Sequence, residues 1–133
     1  MSRLRHGTNV VEFALTLPIF LALLGGVMDY GWLFMNKAMA DSAVAKGCRD
    51  GSIVDPRHGD PKAVALASMD HWFSAVNGSS CQARGWCHAD LSGTAPTRML
   101  VCSVSFPIHP LLGLTASPTE LHSYTITRME WQN

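Results

Sequence analysis

From Phe13 to Met28 the chain carries no charged residue, and beyond Asp29 it stays largely apolar through Met35. With Val10 and Val11 this amounts to about 25 positions, enough to cross a hydrocarbon core of about 30 Å at about 1.5 Å rise per residue. One membrane span is expected. The next stretch, Asn36 to Gly51, is rich in good helix formers, carries Lys46 and Arg49 late, and closes on a glycine suited to a C-terminal cap. The pattern therefore predicts a single helix from about Asn9 to about Asp50. Forty residues reach about 60 Å, so the outer half needs a packing partner.

Ile53 to Gly59 is turn-rich and leads to a second helix, with Asp60 as N-cap, Pro61 at the first helical position and Asn77-Gly78 as the stop. Leu66, Met69, Phe73 and Val76 recur at helical spacing with Trp72 beside them. This apolar face is expected to pack on the sheet or the first helix; a docking face for another subunit is the alternative. Trp86 to Leu91 and Arg98 to Phe106 read as strands joined through Gly93-Thr-Ala-Pro96. In the second, Met99, Val101, Ser103 and Ser105 alternate with Leu100, Cys102, Val104 and Phe106. Pro107 and Pro110 break the ladder, Ile108 to Leu114 forms an apolar loop, and Glu120 to Trp131 alternates again as a final strand. The expected fold class is α+β: a long amino-terminal helix, a second helix and about three antiparallel strands. Two places soften the first helix. Pro18 removes a backbone hydrogen bond and predicts a kink or unwound stretch around Ala14 to Pro18. Gly25 and Gly26 add a second soft point and permit close approach of another helix, and ordinary tolerance of membrane helices accounts equally well for both features.

Charge narrows the function classes. The 133 residues hold 10 basic and 10 acidic side chains, so no polyanion is implied and nucleic acid is not an expected partner. Arg3, Arg5 and His6 precede the span and Lys37 alone lies close behind it, which keeps the amino end in the cytoplasm. A cleaved secretory signal would have a shorter apolar region ending at a small-residue site. No Gly-x-Ser-x-Gly or phosphate loop is present, and His71, His88, His109 and His122 are isolated from one another, so the chain reads as structural rather than enzymatic. Cys81, Cys87 and His88 are the nearest thing to a metal cluster, but Cys-x-x-Cys and paired-histidine spacings are missing and no cofactor is expected.

Glu12 stands out against this background, because an acid inside a membrane span costs a few kcal/mol and normally has a partner or a function. A cut between Gly7 and Thr8 would make Thr8 a free ammonium and Glu12 the fifth residue of the mature chain. Glycine before the cut, glutamate fifth after it and Phe13 next is the processing signature of type IV pilin-like precursors, which this segment resembles. The continuation narrows the resemblance. Glu12-Phe-Ala-Leu, an apolar run holding Pro18, then Asp29-Tyr-Gly-Trp-Leu-Phe34 is similar to the TadE-like minor pilins of tight-adherence (Flp) pili. The likeness covers roughly the first 50 residues.

That resemblance implies a pilin-like protein divided into a leader (1–7), a transmembrane helix (8–36), its periplasmic continuation (37–51) and a small head (52–133). A prepilin peptidase would cut after Gly7 while Arg3 and Arg5 hold the leader at the cytoplasmic face. Glu12 would pair with the Thr8 ammonium of a neighbouring subunit. The partners implied are the major Flp-type pilin, other minor pilins, an inner-membrane assembly platform and membrane lipid. The competing reading is an unprocessed single-pass protein with a partner-binding periplasmic domain, in which Glu12 is solvated at the interface. In either case the head faces the bacterial periplasm, where Cys48, Cys81, Cys87 and Cys102 are expected to form two disulfides. Cys87 facing Cys102 across the hairpin, with Cys48 left to Cys81, stands beside a local Cys81–Cys87 loop.

Overall fold

The structure, a computed structural model, describes residues 5–114, 116 and 118–131, with the side chains of 5–9, 76 and 77 excepted. Five elements follow in order: α1 (Arg5–Ser52), α2 (Pro61–Asn77), β1 (Cys87–Ser92), β2 (Met99–Pro107) and β3 (Glu120–Arg128). This is the α+β arrangement expected, with a three-stranded antiparallel sheet in the order β1-β2-β3. The chain forms two compact units. One takes α1 as far as Phe34 together with the stretch from His109 to Ser117; the other takes Met35–Ile108 and the residues from Pro118 onward.

Within the second unit, α1 buries Ala40, Ala43, Val44, Gly47, Cys48 and Gly51, the three-and-four spacing of one helix face. Its small residues set how close α2 can come. A Cβ on Gly47 would stand 2.9 Å from the Ala65 carbonyl oxygen and 3.1 Å from the Met69 nitrogen, and one on Gly51 would stand 2.7 Å from the Pro61 carbonyl oxygen. Both positions admit hydrogen alone. Gly51 is thus a point of helix contact rather than the expected cap, and α1 runs one residue past it.

The ends of α2 are those expected. The Asp60 carboxylate accepts from the Lys62 backbone N–H at 3.0 Å. At the other end Gly78, at φ 64°, donates its N–H to the Ser74 carbonyl. Asp60→Ala should cost about 1 kcal/mol, a fall of roughly 4–8 °C in the head's unfolding temperature, measurable by circular dichroism on the full chain in detergent. The buried face differs from the expected one: Pro61, Ala65, Met69 and Phe73 are buried, whereas Leu66 is half-buried and Trp72 is 42% exposed. Val76 lies outside the described side chains. The glycines of α1 draw in the small Ala65, which rotates Trp72 to the flank, where the Lys46 ammonium sits 3.3 Å from its ring centroid.

In β2 the buried set is Leu100, Cys102, Val104 and Phe106, as the alternation predicts, and Leu121 and Ser123 continue that face on β3. Cys102 lies opposite Ala89, and Cys87 lies opposite Val104. The two cysteines are therefore two residues out of register, and the cross-hairpin pairing fails. Cys48 of α1 instead bonds Cys102 on the central strand, while Cys81 bonds Cys87. The Cys81–Cys87 loop is held by Asp70, which accepts from the Ser80 hydroxyl at 2.8 Å and from the Gln82 N–H at 3.1 Å. Burial opposes the charge on Asp70, but these bonds and one from the Cys81 N–H outweigh it and hold its carboxyl below the ordinary carboxylate range. Phe73, Trp86 and Phe106 meet edge-on or tilted beneath the loop, with centroids 5.1–6.2 Å apart.

Asp41 ties α1 to β3. It accepts from the Ser123 hydroxyl and from Lys37, whose ammonium also donates to the His122 carbonyl. Desolvation raises the Asp41 pKa, and the Ser123 and Lys37 interactions more than reverse that rise. The final strand stops at Arg128 rather than Trp131 because the chain turns back to α1: the Glu130 N–H donates to the Ser52 carbonyl and the Trp131 indole N–H to the Ile53 carbonyl at 2.9 Å.

Candidate functional site

Among the described residues one helix is long and apolar enough to cross a membrane, and its most apolar window is almost wholly exposed. A core helix of a soluble domain would have that window covered. Phe13, Leu15, Ile19, Leu23 and Val27 all lie open along α1.

Of the residues predicted to carry processing and assembly, Gly7 and Thr8 fall in the first turns of α1, which begins at Arg5, four residues earlier than expected. Arg3 lies outside the described residues, as do the side chains of Arg5, His6 and Thr8, and with them the expected hold on the leader. Glu12 and Phe13 are exposed on the helix surface. α1 continues unbroken through Pro18. Two residues before it, the Thr16 hydroxyl donates to the Phe13 carbonyl at 3.2 Å, a local side-chain bond of the kind that membrane helices use beside prolines.

A second acid in the span behaves differently. Asp29 is 2% exposed. One carboxylate oxygen accepts the Leu112 backbone N–H at 2.7 Å and the other accepts the Leu114 N–H at 3.0 Å. One helical turn earlier Gly25 is also buried, and a Cβ there would run into the Leu114 side chain and stand 3.4 Å from that of Leu112. The close approach that Gly25 was expected to permit is made by a loop, not a helix. The signal for this contact was present in the residues: Ile108 to Leu114 is an uncharged, leucine-rich stretch in a head otherwise well supplied with polar loops.

The four cysteines are consumed in the two disulfides, which leaves no thiolate for a metal. Asp41, Asp55 and Asp70 accept hydrogen bonds from backbone or side-chain groups, the behaviour of carboxylates that hold loops, helices and strands together. The arrangement is that of a membrane anchor with a stapled domain.

Comparison with known proteins adds the family. Residues 7–49 match the family model described as TadE-like protein, a match that begins at Gly7 and takes in Glu12, Pro18, Gly25 and Asp29. No curated protein and no solved structure matches the chain. Over residues 7–49, about a third of its length, the chain is similar to TadE-like proteins.

Proposed function

We propose that the chain is a minor pilin, or pseudopilin, of a Tad/Flp-type pilus: inserted as a precursor in the bacterial inner membrane, cut after Gly7 by a prepilin peptidase, and taken into the pilus through α1. The observation that carries this reading is the TadE-like match starting at Gly7 on a helix whose apolar surface, Glu12 included, is exposed. An apolar helix with so little of itself covered must be covered by lipid, by neighbouring helices, or by each in turn. Pilin assembly provides that sequence. In the membrane the amino end faces the cytoplasm and the disulfide-bonded unit faces the periplasm, where both bonds can form. On assembly the Thr8 ammonium of one subunit meets Glu12 of the next and both charges are neutralised in the helix bundle. Partners follow from this route: the peptidase, the major pilin, other minor pilins and the assembly platform.

Intact-mass measurement on the protein purified from membranes tests the processing. The expected amino terminus is Thr8 in cells that make the peptidase, and replacement of Gly7 by a bulky residue should leave the leader attached, since glycine lets the backbone approach the enzyme. An uncut leader on the wild-type chain in such cells would favour the unprocessed single-pass protein.

A further inference from the structure

We infer that the loop His109–Leu114 lies in the interfacial layer of the lipid bilayer, as a second membrane-contacting element held against α1 by Asp29. Its geometry starts from a mutual need. A carboxylate inside an apolar span requires hydrogen-bond donors, and an irregular loop entering lipid requires acceptors for its backbone N–H groups. Asp29 and the loop meet both requirements: the two carboxylate oxygens take the Leu112 and Leu114 amides at 2.7 and 3.0 Å. Gly113 between them sits at φ 69°, a left-handed turn that brings successive amides to one side and that glycine adopts without strain.

The side chains point to lipid as the covering medium. Leu111, Leu112 and Leu114 remain 58%, 53% and 61% exposed even with Leu114 resting on Gly25. On the neighbouring turn of the same unit Val27 and Met28 are 70% and 57% exposed. The loop's leucines therefore extend an apolar surface that the span already presents to the bilayer. Asp29 stands about 17 residues beyond Glu12, a rise of about 25 Å, which puts the loop near the far edge of the hydrocarbon. His109 and Pro110, at the exposed start of the loop, suit the headgroup layer.

The inference rests on the membrane span, and its test separates the two. The full chain, labelled at leucine methyl groups, is placed in phosphatidylcholine nanodiscs and read by methyl NMR with two relaxation agents: a phosphatidylcholine spin-labelled near the carboxyl end of its acyl chain, and a soluble gadolinium chelate. Loss of the Leu112 and Leu114 methyl signals with the lipid label, and their retention with the chelate, is the expected result. Signals lost to the chelate, showing a loop in water, or retained with both agents, showing a loop covered by protein such as a second copy, would overturn the inference. Leu21 and Leu23 serve as the span's own reporters: their retention with a lipid label placed at the chain centre would overturn the span as well. Asp29→Ala should restore the Leu112 and Leu114 signals in the presence of the headgroup-end label. If they stay lost in that variant, Asp29 does not hold the loop.

Discussion

Replacing Cys48 and Cys102 together by alanine is expected to lower the stability of the head by about 4 kcal/mol, against about 2 kcal/mol for the Cys81 and Cys87 pair. The difference comes from the length of chain each bond closes. Cys48 and Cys102 are 54 residues apart and Cys81 and Cys87 only 6, so the first bond removes far more freedom from the unfolded chain. Position adds to this, since the Cys48–Cys102 bond joins α1 to the central strand whereas Cys81–Cys87 closes a local loop. Alanine is preferred to serine because a hydroxyl at either site would need a hydrogen-bond partner in an apolar interior. Against a typical domain stability of about 5–15 kcal/mol, the long bond is a large share of the total. Urea unfolding of the oxidised full chain in detergent micelles, followed by near-ultraviolet circular dichroism, measures both variants. Equal losses, or a larger loss for the short loop, would contradict the assignment of the greater stabilisation to the longer loop.

The pairing also shows where local pattern reaches its limit. Alternation in β2 and β3 separated the two faces of each strand, because period two sorts side chains without reference to any other strand. It could not give the register between strands, and a shift of two residues separates Cys87 from Cys102 while leaving every face unchanged. The same limit explains α2. Its ends were legible from Asp60, Pro61 and Gly78, whose roles are local. Its buried face was not, because Gly47 and Gly51, distant in sequence, favour Ala65 at the crossing over Leu66. Gly51 read as a cap for a related reason: a glycine near a helix end and a glycine under a second helix look alike until the second helix is placed. Asp29 is the clearest case of all. The acid and the leucine loop were each conspicuous, and about 80 residues of intervening chain concealed that they meet. By contrast the long apolar helix and the likeness of residues 7–49 to TadE-like proteins depend on contiguous residues, and both were readable.

The span's two carboxylates meet the same physical problem in opposite ways, and this makes the expected effect of Glu12→Ala specific. Asp29 is buried within its own chain against backbone amides, so its charge is answered before any assembly takes place. Glu12 is exposed on α1 near the end that the peptidase would free. In the membrane orientation proposed above it would lie close to the cytoplasmic surface, where water or headgroups solvate it, so removing the charge should leave insertion and membrane abundance unchanged. In the pilus assembly proposed above the same position would be enclosed by neighbouring helices, and the Thr8 ammonium of an adjoining subunit would be left without its counter-charge. Leaving one member of such a pair alone costs about 2–5 kcal/mol, so incorporation should fall about 30-fold or more, at about 1.4 kcal/mol per decade. Glu12→Gln keeps the shape and one acceptor but no charge, and should fall nearly as far, which separates electrostatics from packing. Quantitative immunoblots of sheared pili and of membranes, with co-purification of the other pilins, measure both fractions. Normal pilus incorporation of both variants would remove the charge pair from the assembly mechanism and leave α1 to join its neighbours by apolar packing alone.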